Sequence, residues 1–153
     1  MDLNLGDSVW IGLAATAVMT VVMYALPAVG LPRTDVTLIL GSMLRLPRNR
    51  VPYYGALMHL GMGVVFAFLY AFAFLILDVA PNWWIGLIAG IVHWALVMLS
   101  MDTFGDIHHG IKEGRMKAPG LFMSNLGAEY AVASLVRHLV FGGMVGALFN
   151  IAS

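Results

Sequence analysis

Four long runs of apolar residues divide the chain, at roughly 9–29, 53–77, 84–101 and 124–150. A helix needs about 20 such residues to cross about 30 Å of hydrocarbon, so each run predicts a membrane span. The third is the shortest and reads on toward Phe104, and the fourth carries Glu129, Arg137 and His138. Between the first two lies GLPRTDVTLILGSMLRLPRNRVP, too polar and too often broken by Pro32, Pro47 and Pro52 to span. Thr34 or Asp35 can cap a short helix there. On it Val36, Ile39, Leu40, Met43 and Leu44 share one face, with Thr37 and Arg45 opposite. That pattern predicts an interfacial helix lying on the membrane surface.

Composition agrees with the pattern. The 153 residues are 61% hydrophobic and 10% charged, against about 45–50% and about 25% in soluble domains. The excess is too large for a core of this size. This argues against a soluble globular enzyme and excludes a disordered chain and a secreted disulfide scaffold. Eight basic and eight acidic residues cancel, so no net field recruits nucleic acid. Cysteine is absent, which removes disulfides, thiolate metal sites and covalently attached c-type haem. The opening MDLNLGDSVW carries Asp2 and Asp7 but no Lys or Arg, so it reads as an uncleaved first span rather than a signal peptide.

Charge also predicts direction. The 30–52 loop holds Arg33, Arg45, Arg48 and Arg50, and the 102–121 loop holds Lys112, Arg115 and Lys117. The N-terminus, the DVAPN turn and the C-terminus hold none. Positive-inside bias then puts both loops in the cytoplasm and both termini outside. Trp10, Trp83 and Trp84 would lie at the outer interface, and Tyr53 and Tyr54 at the inner one.

The chain also matches itself. Trp10-Ile11-Gly12-Leu13 opens the first run and Trp84-Ile85-Gly86-Leu87 the third. His59-Leu60-x-x-Gly63 in the second meets His138-Leu139-x-x-Gly142 in the fourth, and a small residue, Gly55 or Ser134, stands four before each histidine. Chance matching of apolar helices is the plain alternative. Two matches in the right order predict a duplication, with repeat one at about 9–77 and repeat two at about 84–150. Halves of equal topology are related by an axis along the membrane normal. The expected fold is thus a single all-α integral membrane domain over 1–153: four transmembrane helices as two tandem two-helix repeats, plus the short interfacial helix.

The segments LPRTDVTLILGSML, GALMHLGMGVVFAFLYAF and SLVRHLVFGGMVGALF resemble a family of small bacterial four-span membrane proteins known as a domain of unknown function. The paired HLxxG pattern is the most specific part. The resemblance implies a multi-pass protein of the bacterial cytoplasmic (inner) membrane. It implies no activity.

Ionisable groups inside a span cost about 2.5–3.5 kcal/mol at its centre and mark functional candidates. Here they are His59, His93, Glu129, Arg137 and His138. Gly55, His59 and Gly63 form one helical stripe, as do Ser134, His138 and Gly142. A histidine flanked by small residues presents its imidazole over cleared surface, which suits axial ligation of a tetrapyrrole. His59 and His138 are then candidate ligands of a b-type haem or a chlorin, and Arg137 a partner for a propionate. His93, matched by Met19 in the first run, is a substitute ligand. The competing reading is that small-xxx-small stripes pack helices and the histidines bridge them. Glu129 either meets His59 or reaches to the interface. In the second loop, Asp106, His109 and Glu113 would share a face of a continuing helix and form a weak divalent-metal set, whereas Gly105, Gly110 and Gly114 favour a solvated loop. The eleven methionines read as core filling.

Three functions remain. The first is a non-enzymatic integral subunit or accessory protein of a larger membrane complex, or a homo-oligomer, with a tetrapyrrole at the histidines. The second is a small oligomeric transporter or proton relay using Glu129, Arg137 and the histidines. The third is a metal-dependent membrane enzyme. No catalytic motif appears in the sequence.

Overall fold

The computed structural model describes residues 3–152, so Asp2 lies outside the described residues. Their regular structure is helical: α1 (Ser8–Ala25), α2 (Val36–Ser42), α3 (Val51–Ile76), α4 (Trp83–Ile107), α5 (His109–Lys112) and α6 (Ala128–Ala152). Short 3₁₀ turns flank them at Leu5–Asp7, Leu26–Val29 and Leu121–Met123. Four segments are long and apolar enough to cross a membrane: Leu5–Val29, Val51–Ile76, Trp83–Ile107 and Ala128–Ala152. This is an all-α membrane-type bundle.

Local chemistry sets the helix ends. Asn82 caps α4 by accepting from the backbone N–H groups of Trp84 and Ile85, each at 3.0 Å. Asp35, one of the two expected caps, accepts from Leu38 N–H at 3.2 Å and starts α2. Pro52 sits in the first turn of α3, where its missing N–H costs nothing. The third span continues past 101 to Ile107 and ends where His108 turns to an extended backbone. Gly127, with φ of +126°, makes the turn into α6 that a side chain would strain.

The spans run up and down, so both described ends and the 77–82 turn lie at one end of the bundle, called here the terminal end. The other end, the loop end, gathers seven of the eight basic residues. Around the bundle the order is α3, α1, α6, α4, each packed on the next. The remaining side is different: the backbones of α3 and α4 scarcely approach.

Glycines govern the packed sides. A β-carbon on Gly12 would meet Val64 and Gly63 of α3, and one on Gly63 would strike the Thr16 side chain of α1. In the second half, Gly86 and Gly90 of α4 face Gly142 and the His138 carbonyl of α6. Residues matched between the halves, Gly12 with Gly86 and Gly63 with Gly142, thus make corresponding contacts. Small side chains let backbones approach, and van der Waals packing supplies the association that hydrophobicity cannot supply in lipid.

The short helix α2 folds back along the first turns of α3: Gly41 abuts Val51, and Gly55 abuts Thr37. It does not stand apart from the bundle. Toward the terminal end, Ile11, Ala15, Ala67, Tyr70, Ala71, Phe74, Phe141, Val145 and Phe149 form a solid core. Toward the loop end the helices enclose space.

Candidate functional site

That space is a cavity of about 580 Å³ between α1, α2, α3, α4, α6 and the 111–126 segment. Its size lies within the range of small-molecule and cofactor sites. The walls are mostly apolar and include Met19, Met62, Met101, Met116 and Met123, whose unbranched thioethers adapt to irregular shapes. His59, His93, Ser134, Arg137 and His138 also line it, so residues from separate spans converge on one site.

His138 has a fixed tautomer. Its Nδ1 lies 2.8 Å from the Ser134 carbonyl oxygen. A carbonyl only accepts, so Nδ1 carries the proton and donates, leaving Nε2 as the lone-pair atom of the uncharged ring. The same arrangement orients metal-ligating histidines elsewhere in proteins. The sequence spacing i, i+4 makes this bond local to α6.

His93 belongs to an aromatic cluster. Its ring lies 3.8 Å from the Phe66 ring and meets the His138 ring edge-on at 4.7 Å, centroid to centroid. The Tyr70 hydroxyl sits 3.4 Å from His93 Nδ1. His59 is buried, and its Nε2 has no hydrogen-bond partner. A buried orphan of this kind costs free energy unless something outside the chain satisfies it.

Arg137 is only 5% exposed. It donates from Nε to the Ala133 carbonyl at 3.2 Å and from Nη1 to the Thr34 carbonyl at 3.4 Å. Carbonyl dipoles ease its burial but do not neutralise it. Among the described residues the ion pairs are Arg33–Asp35 and Arg115–Glu113, so Arg137 meets no carboxylate. Its cation is the cavity's one deeply buried charge among the described residues.

Other expected residues lie elsewhere. Gly55, Gly63 and Gly142 clear no surface for a macrocycle, because α2, α1 and α4 respectively fill the space beside them. Gly63 and Ser134 both border the cavity. Glu129 is exposed at the start of α6 and meets the turn at Gly127 rather than His59. The Asp106, His109 and Glu113 face does not form, because the helix breaks at His108 between them. No three His, Asp or Glu side chains among the described residues converge as a metal set. Glu113 pairs with Arg115 instead, which holds its carboxyl below the usual range.

The pattern of the chain missed His108. It is fully buried, with Nε2 donating to the Ile39 carbonyl at 3.0 Å and lying 3.2 Å from Ser42 Oγ. It ties the end of α4 to α2, and residues of both helices border the cavity. The apolar residues around it, Phe104, Ile107, Ile111 and Met116, were the available signal. Phe66 and Tyr70 were likewise hidden among many aromatic residues of α3.

No family model, curated protein or solved structure matches this chain.

Proposed function

We propose that this chain is a non-enzymatic integral membrane subunit or accessory protein built around one ligand cavity, and that the cavity holds a tetrapyrrole, a b-type haem or a chlorin. One observation carries the reading: His138 offers a lone-pair Nε2, oriented by its own backbone bond, beside an unneutralised arginine in an apolar space. His59, which also lines the cavity and whose buried Nε2 has no partner, is the second candidate ligand. Arg137 would take an acidic substituent such as a propionate. When bound, the group would supply light absorption or one-electron chemistry, and the chain would hold, orient and shield it. His93 serves by positioning His138 rather than as a ligand.

The setting belongs to the same proposal. Seven basic residues at the loop end support a cytoplasmic loop end and outside termini. The matched glycine contacts support descent from a duplicated helix pair, and the open α3–α4 side supports docking to a membrane partner or a second copy. A bacterial inner membrane follows from the family resemblance alone.

A proton relay is the second reading. It is favoured by the run of Tyr70, His93 and His138 side chains, although Glu129 stands outside that run. The absorption spectrum of protein purified in mild detergent from cells making their own tetrapyrroles separates the two. A Soret or chlorin band that persists through purification supports the cofactor. A colourless protein overturns it.

A further inference from the structure

The open side of the bundle changes what the cavity can bind. A second apolar groove of about 420 Å³ lies between α3 and α4 toward the terminal end. Its walls include Leu69, Phe74, Leu77, Ile88 and Leu96, and it shares Phe66 and His93 with the main cavity. The two spaces therefore adjoin at the closely packed, tilted Phe66 and His93 rings. Leu69, Ile88, Val92 and Leu96 along the groove are exposed, so it opens sideways to whatever surrounds the helices. In a bilayer that surrounding is lipid. The main cavity has exposed lining of its own on this side, at Met62 and Ser100, and Lys117 borders it at the loop end.

Chemistry along this path is graded. At its inner end stands Arg137, buried and without a carboxylate partner among the described residues. Outward from the Phe66–His93 pair the lining is almost wholly hydrocarbon. We infer that the site takes a membrane-dissolved amphiphile with an acidic group, a carboxylate or a phosphate monoester, whose head binds Arg137 and whose apolar tail lies in the α3–α4 groove. Entry is lateral, from the bilayer, along the open α3–α4 side. The cation accounts for the acidic head, since a charge-assisted bond is strongest where water is excluded. The groove accounts for the tail. This inference rests on the cavity being a ligand site, and it does not depend on metal ligation by His138.

The test uses the full chain in nanodiscs of neutral lipid. The probes are a long-chain fatty acid bearing a diazirine in its chain, its methyl ester, and a lysophosphatidate with the same chain. After irradiation, adducts are located by mass spectrometry. The expected result is saturable labelling of Leu69, Leu96 or their groove neighbours by an acidic probe, and only unsaturable labelling by the ester. Whichever acidic probe saturates at lower concentration identifies the head group. Arg137→Gln should weaken the saturable component about tenfold or more, the loss of one charge-assisted bond, while Arg137→Lys retains most of it. Ala73→Trp, which fills the groove without touching Arg137, should also abolish it, and this keeps the test decisive if Arg137→Gln does not fold. Equal labelling by acid and ester, indifference to both substitutions, or full competition by inorganic phosphate alone would each overturn the inference. Saturable labelling of a protein that is colourless in every preparation would remove the tetrapyrrole and leave the amphiphile site standing.

Discussion

Gly63 of α3 lies against Thr16 of α1 so closely that no β-carbon fits between them. Thr16 holds its own place by donating from Oγ1 to the Gly12 carbonyl at 2.7 Å. The corresponding position in the second half, Gly142, lies against Gly86 and Gly90 of α4. Gly63→Leu and Gly142→Leu should therefore destabilise the bundle by about 1–3 kcal/mol or more, the cost of overpacking where backbone must move. Gly61, beside which nothing lies within 4 Å, is the control. Gly61→Leu should leave the thermal midpoint in detergent unchanged.

These glycines also show where sequence reading stops. The four spans were legible because runs of this length and hydrophobicity have few other uses. The small-residue stripes were legible too, but their purpose was not: a cleared face for a ligand and a close helix contact both demand small side chains. Only the neighbour decides, and the neighbours are Thr16, Thr37 and Gly86. Arg137 announced itself by the cost of a charge within a span. His108 did not, since a histidine in a loop rich in glycine gives no sign of the carbonyl it will meet.

Arg137 makes an opposite prediction for stability and binding. A buried ionic group replaced by an apolar residue of similar length often leaves a protein as stable or more so, by about 1–4 kcal/mol. Arg137→Met should thus raise, or leave unchanged, the unfolding midpoint of ligand-free protein while weakening retention of an acidic ligand. A large loss of stability in the ligand-free state would show that the two carbonyl bonds to Ala133 and Thr34 are the residue's purpose.

His108 fastens α2 over the cavity. His108→Ala removes that hydrogen bond and leaves a void, at a cost of about 1–3 kcal/mol. The loosened segment should be cut faster by trypsin at Arg45, Arg48 and Arg50, which lie exposed in the connection between α2 and α3. Unchanged cleavage would mean that the contacts of Gly41 and Gly55 hold α2 without it.

Orientation is open to labelling, since the chain has no cysteine. Single cysteines at Asp7 and Asn49, treated with an impermeant maleimide on intact cells, should react at Asp7 only. Reaction at Asn49 alone would reverse the assignment.

The most direct test of the ligand cavity is a titration of haemin into protein made in cells blocked in tetrapyrrole synthesis and held in mild detergent, followed by absorption. The expected result is a shifted Soret band that saturates at one haemin per chain, disappears in His138→Ala and persists in His93→Ala. A titration in which wild type and His138→Ala give the same unsaturable spectrum would contradict it.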